Sequence, residues 1–285
     1  MLLLLACAGP EPEPIGLIAM TWNTGLGAAS GDVGDIADGW YGNGLAWLPA
    51  VEAAREVLAE AAPDIVAFQE IFDPAECAEI PEEFHTDFVC AEWSEGDPTV
   101  AEDVLGPDYS LSCHPGNSDK CIGVRNDIST LDDAEGFGVE GCGSGARVAR
   151  LHLADLTVVS VHGSSGLDSE SESCRVAQVD QVFVDLGDGS PGADGASNLV
   201  LGDLNTDPGR FTDSDPSAER WNDFVGEGLA FGWHTEVGPD APGSYAGLAD
   251  IDHVASDGLT GGCEVLEKPD EVFDHRPILC PLTAP

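Results

Sequence analysis

Carboxylates, carboxamides and imidazoles recur in this sequence at one kind of place, the end of a short apolar run. Ile15 to Met20 leads into Thr21-Trp22-Asn23, Ile65-Val66-Ala67-Phe68 into Gln69-Glu70, Leu156 to Val161 into His162, and Leu199-Val200-Leu201 into Gly202-Asp203-Leu204-Asn205. Ile251-Asp252-His253-Val254 and Phe273-Asp274-His275-Arg276-Pro277 repeat the theme near the end. The set collected this way, Asn23, Glu70, His162, Asp203, Asn205, Asp252, Asp274 and His275, contains no thiol. Hard oxygen ligands of this kind suit Mg²⁺, with Mn²⁺ or Ca²⁺ as alternatives. An imidazole pinned by a carboxylate keeps its tautomer and can move a proton near neutral pH. Such an ion keeps several waters and is usually held by one or two carboxylates together with substrate phosphate.

Such residues meet only if the runs are neighbouring strands, buried and ending at one edge. Between the first two runs, Leu48, Val51, Ala54, Val57 and Leu58 recur at helical spacing within Leu45 to Ala61, and Pro63-Asp64 closes the helix before the next strand. A second amphipathic helix is expected over Cys174 to Leu186, with Val176, Val179, Val182 and Phe183 on one face. Asp73 to Asp108, Asp185 to Ser197 and Asp207 to Gly243 are rich in Gly, Pro, Asp and Ser and read as loops and short elements. With no internal repeat and no composition break after Pro14, residues 15–285 read as one α/β domain.

The chain has 285 residues, 42% of them hydrophobic, enough for a packed core. Its 53 acidic residues against 10 basic ones, a net charge of −43, argue against a broad basic surface for nucleic acid and require phosphate chemistry to recruit a cation. Solubility or adaptation to a salty medium is the plainer meaning of that acidity. The opening Met1-Leu2-Leu3-Leu4-Leu5-Ala6-Cys7 is too short to span a bilayer, and Leu4-Leu5-Ala6-Cys7 resembles a bacterial lipobox, the end of a signal whose basic start lies upstream. Residues 1–14 are thus expected to be a truncated lipoprotein signal with a Pro-rich tether, Cys7 carrying the lipid. Setting Cys7 aside leaves eight cysteines with no CxxC or His/Cys cluster, which favours up to four disulfides in an oxidising compartment over zinc. Short separation makes Cys113 with Cys121 and Cys263 with Cys280 the first expected pairs.

The six motifs, in this order, resemble those of the endonuclease/exonuclease/phosphatase superfamily, which includes deoxyribonucleases, abasic-site endonucleases, sphingomyelinases and inositol polyphosphate phosphatases. The resemblance spans nearly the whole chain after the tether. It implies a four-layered α/β/β/α sandwich of two packed mixed sheets with the site at one edge. It implies Glu70 as the principal Mg²⁺ ligand, Asn23 beside it on metal or phosphate, and Asp274 on the metal or a second cation. Asp203 would orient or deprotonate the attacking water, and Asn205 would bond a non-bridging phosphate oxygen. His275 paired with Asp252 would be an acid/base or phosphate-stabilising group, and His162 would act on phosphate or the leaving group.

The resemblance fixes a metal-dependent phosphoesterase and leaves the ester open. An exported surface nuclease acting on DNA is the first expectation, as a monomer held at the bacterial envelope or released outside it. A sphingomyelinase or phospholipase C-like phosphodiesterase acting on lipid head groups is the alternative, although no hairpin of paired aromatics offers to enter a membrane. An inositol or sugar phosphate phosphatase follows, and a non-catalytic adhesion lipoprotein is the non-enzyme alternative. Trp40, Tyr41 and Trp47 read either as a substrate- or membrane-facing patch or as core, and Arg125, Arg147 and Arg150 either as ion-pair partners or as phosphate contacts. His85, His114, His152, His234 and His253 read as structural or surface residues.

Overall fold

A computed structural model describes residues 14–27, 31–115, 119–185, 187, 189–267 and 272–284; Cys7 and its tether up to Glu13 lie outside them. In chain order the elements are β1 (Ile15–Asn23), α1 (Asp32–Tyr41), α2 (Leu48–Ala61), β2 (Ile65–Gln69), α3 (Val100–Leu105), β3 (Tyr109–Cys113), β4 (Cys121–Arg125), β5 (Leu131–Val139) and β6 (Gly143–Leu151). They continue with β7 (Leu156–His162), α4 (Ser169–Phe183), β8 (Ser197–Asp203), α5 (Pro216–Asn222), β9 (Gly232–Trp233), β10 (Asp252–Ser256), β11 (Thr260–Gly261), β12 (Glu264–Val265) and β13 (Ile278–Ala284). One sheet has the order β11-β13-β1-β2-β4-β3, with β12 also on β13; the other runs β5-β6-β7-β8-β10-β9. Both are mixed: β1 with β2 and β7 with β8 are parallel, and the remaining pairs are antiparallel.

Three apolar cores separate the layers. Met20, Trp22, Val66 and Phe68 of the first sheet pack against Ala50, Ala54, Leu58 and Val104 of α2 and α3. Leu17, Ala19, Ile65, Ala67 and Ile122 meet Ala149, Val158, Leu199, Leu201 and Val254 between the sheets. Val148, Val159, Val161 and Val200 on the far side of the second sheet meet Val179 and Val182 of α4 and Trp221 of α5. The order is helices, sheet, sheet, helices, as the sequence led us to expect. Side chains alternate between the faces of a strand, so continuing the inter-sheet set along each strand predicts what stands at its end. Residues 17 and 19 lead to Asn23, 158 to His162, 199 and 201 to Asp203, and 254 back to Asp252. The polar residues prolong the inter-sheet core into one edge.

Helix α2 begins at Leu48 rather than Leu45, because Pro49 fits only the first turn, and it ends at Ala62 in the left-handed conformation. Helix α4 begins five residues before the expected Cys174, where the Asp168 side chain accepts hydrogen bonds from the Glu170 and Ser171 backbone N–H groups. Its buried face includes Arg175, Gln178 and Gln181 as well as valines, and Val176 lies at its flank. Arg175 donates to the carbonyls of Ser164 and Gly166 at 2.8 Å, and the Ser164 N–H donates to Gln178. The helix thereby anchors the loop that follows His162.

The eight cysteines form Cys77–Cys90, Cys113–Cys121, Cys142–Cys174 and Cys263–Cys280. Both pairs expected from the sequence are among them. No described helix is long and apolar enough to cross a membrane.

Candidate active site

Of the seven described non-glycine residues with positive φ, two, Glu70 and Asn205, are expected site residues. Glu70 follows β2 with φ 58°, and Asn205 follows β8 with φ 49°, a region that non-glycine residues rarely occupy. The turn throws the Glu70 carboxylate sideways into the edge. Gly25 makes room for it, since a Cβ there would overlap Glu70 Oε2. Gly202, at φ 146°, likewise lets β8 approach the Val161 carbonyl so that Asp203 lies in register with His162.

Asp203 is at the centre of the cluster, 1% exposed. Asn23 Nδ2 donates to Asp203 Oδ2 and to Glu70 Oε1, both at 2.9 Å, and the Gly25 N–H holds Asn23 Oδ1. The Asn205 N–H donates to Asp203 Oδ1 at 2.7 Å, while its Nδ2 donates to the Gly163 carbonyl at 2.9 Å and to Asp203 Oδ2 at 3.2 Å. Both amides thus arrange protein carboxylates and not only a ligand.

Two imidazoles approach from opposite sides. His275 Nδ1 is 2.7 Å from Asp252 Oδ2 and its Nε2 lies 3.7 Å from Asp203 Oδ2. His162 Nδ1 is 3.1 Å from Asp119 Oδ2, and its Nε2 lies 3.5 Å from Glu70 Oε1 and 3.8 Å from Asp203 Oδ2. Burial opposes a charge on either ring, but the surrounding carboxylates outweigh it. For His162 the bond to Asp119 and the charges of Asp203 and Glu70 hold the pKa above its ordinary value. For His275 the Asp252 and Asp203 carboxylates push it up to about 10. Burial raises Asp203 above the usual carboxylate range despite the His275 charge, with Asp252 adding to the rise. Asp274 is pushed up to about 6 by burial, against the pull of His275 and with Glu70 adding to it.

All eight expected residues therefore collect at one edge. Asp119 is the member that sequence reasoning missed. The apolar run Cys121-Ile122-Gly123-Val124 begins at the site, because β4 runs antiparallel to β2, and a search for runs ending in polar residues passes over one that starts there.

The donor set fits a divalent cation. Asp252 Oδ1 and Asp274 Oδ1 are buried side-chain oxygens without a hydrogen-bond donor, an arrangement that costs free energy unless a cation or ligand meets them.

Most of the other candidates have structural partners, while Trp40 stays exposed. Tyr41 is buried, stacked on Phe88 at 4.3 Å; Trp47 is half-buried; Trp40 is exposed and stacked on Phe84 at 4.7 Å. Arg125 pairs with Asp64 and Asp127, Arg150 with Asp194, and buried Arg147 bonds the Ser112 hydroxyl. His85, His114 and His253 bond backbone carbonyls, His234 bonds Ser256, and His152 is exposed near Asp132.

Neither a family model nor a curated protein matches the chain. Solved structures do. Human Nocturnin catalytic domain with bound sulfate is 13% identical, with 98% of this chain and 100% of that one covered at a TM-score of 0.57. A humanized D. rerio TDP2 is 17% identical over 94% of this chain and 98% of that one, at 0.55. An endonuclease/exonuclease/phosphatase family protein from Bacteroides thetaiotaomicron is 15% identical over 96% and 100%, at 0.52. Over its described residues the chain has the fold of these proteins.

Proposed function

We propose that the chain is a divalent metal-dependent phosphodiesterase of the endonuclease/exonuclease/phosphatase superfamily. One observation carries the reading: two imidazole–carboxylate pairs, His162 with Asp119 and His275 with Asp252, converge on buried Asp203 beside Glu70. A cation held by Glu70, with Asp274 and Asn23 Oδ1 as further ligands, would supply positive charge to the phosphoryl oxygens. Asp203, already accepting three hydrogen bonds, keeps acceptor capacity for one water and orients it toward phosphorus. Its raised pKa makes it a better base for that water's proton. His275 Nε2, on a ring held protonated, donates to a phosphoryl oxygen, and His162 Nε2 donates on the other side toward the leaving group. Asn205 turns its longer Nδ2 bond from Asp203 to a non-bridging oxygen.

The exported surface nuclease is the finer form of this proposal. Export and the lipid on Cys7 rest on Leu4-Leu5-Ala6-Cys7, and DNA as substrate is supported by a D. rerio TDP2 of the same fold solved with single-strand DNA product. The test of the chemistry is hydrolysis of bis(p-nitrophenyl) phosphate with Mg²⁺ or Mn²⁺ and with EDTA. Glu70→Gln, Asp203→Asn and His275→Ala should each cost about 10²-fold or more, the scale of a lost acid/base or electrostatic group. Near-full activity in all three, or indifference to EDTA, would sink the reading and restore the adhesion alternative.

A further inference from the structure

The two imidazole–carboxylate pairs are not equivalent. In the His275 pair the second carboxylate oxygen, Asp252 Oδ1, is buried and meets no hydrogen-bond donor. In the His162 pair it is taken: Lys120 Nζ lies 3.1 Å from Asp119 Oδ1, while His162 Nδ1 lies 3.1 Å from Asp119 Oδ2. The Lys120 side chain is 2% exposed. The chain has two lysines against a net charge of −43, and one of them lies inside the protein beside the site.

A buried ion pair contributes little to stability compared with apolar residues of the same volume, because desolvation cancels the attraction. The position of Lys120 argues for a use of another kind. The backbone under Asp119 and Lys120 is fixed from both sides, since the Ile71 N–H donates to the Asp119 carbonyl at 3.2 Å and the His114 N–H to the Lys120 carbonyl at 2.8 Å. The next residue, Cys121, pairs with Phe68 of β2 and Cys113 of β3 and carries a disulfide to the latter. Lys120 therefore reaches Asp119 from a rigid base, and the carboxylate is held at both oxygens. Burial opposes the Asp119 charge, but the His162 bond and the Lys120 charge outweigh it and hold the carboxyl below its usual range.

Resting on the phosphodiesterase reading above, we infer that Lys120 is a positioning residue for departure of the leaving group, acting through Asp119 on His162. In that step the water oxygen bonds phosphorus and its proton passes to Asp203. The P–O bond to the leaving group breaks, its electron pair stays on the departing oxygen, and that oxygen takes the proton of His162 Nε2. The transfer needs Nε2 aimed closely at one oxygen. A carboxylate bonded through a single oxygen can swing about its Cβ–Cγ bond and carry the ring with it; Lys120 stops that swing. His275, which keeps its proton and stabilises charge, tolerates a partner held through one oxygen.

The test follows metal-dependent kcat and KM of the full chain on bis(p-nitrophenyl), bis(p-chlorophenyl) and diphenyl phosphate, diesters of like shape whose leaving groups are increasingly basic and increasingly need the proton. Lys120→Met should lower kcat on diphenyl phosphate about tenfold more than on bis(p-nitrophenyl) phosphate, with KM within about twofold on both. Lys120→Arg, which keeps the charge, should recover part of the loss. With Asp119→Asn already in place, Lys120→Met should add little, because the ammonium acts through that carboxylate. If Lys120→Met does not fold, Lys120→Gln should give the same dependence on leaving group in smaller measure. Equal loss on all three esters would mean a structural role only, and unchanged kcat would make Lys120 a bystander; either overturns this inference and leaves the phosphodiesterase reading standing. Absence of turnover of any ester by the unaltered chain removes both.

Discussion

The proton on His275 is the residue-scale feature most open to measurement. Its pKa, pushed up to about 10, lies above the value of about 6.5 that the unfolded chain would show. The folded form therefore binds that proton more tightly. The resulting stability is whole below pH 6.5 and is lost as pH rises toward 10. Asp274, raised to about 6, acts in the same direction at lower pH, its contribution being lost as pH rises through that value. In EDTA the melting temperature should thus fall as pH rises from about 6 to 10, and Asp252→Asn should flatten the fall by removing the carboxylate that lies 2.7 Å from His275 Nδ1. A melting temperature flat across that range, or an unchanged slope in the variant, would show that His275 is not held protonated. Its type and its neighbour in the site were legible in Asp252 and His275 themselves, whereas the pKa was not, because it depends on burial that only the assembled edge creates.

At the scale of elements, the site is a consequence of strand parity and of two left-handed residues. The strand ends could be read because apolar runs that stop at polar residues mark them. The turn at Glu70 could not, because a positive φ on a glutamate leaves no compositional trace. Gly25 is its complement, and Gly25→Ala should displace the Glu70 carboxylate. Mn²⁺ affinity measured by calorimetry should then fall roughly 10- to 100-fold, the range seen when support around a metal ligand is lost, with an unchanged far-ultraviolet spectrum. Retained affinity would mean that Glu70 is not the principal ligand. Other elements were hidden for physical reasons. Helix α1 buries only Ala37 and Tyr41 and contains Gly34 and Gly39, so it shows little periodicity and weak propensity. Strand β5, Leu-Asp-Asp-Ala-Glu-Gly-Phe-Gly-Val, is an edge strand with two register shifts and no fully buried position, so the alternation that reveals a strand is missing.

For the whole molecule, the net charge of −43 is a load on the fold, since most of the described cations are already engaged in ion pairs. Raising NaCl from 0.1 to 1 M shortens the screening length from about 10 to about 3 Å, and the metal-free melting temperature should rise with it; a fall would mean that the internal ion pairs outweigh the self-repulsion. Direction of the chain has a further consequence. Strand β1 runs from Ile15 toward the site at Asn23, and Ile15 pairs with Ala284 at its other end. Both ends of the fold therefore leave it at the edge remote from the chemistry, roughly 26 Å away for the eight strand steps at about 3.3 Å each. A copy moored by the segment before Ile15 would hold its reactive edge outward, like a lamp on a post. It would scan the medium or an opposing surface before the one to which it is fixed.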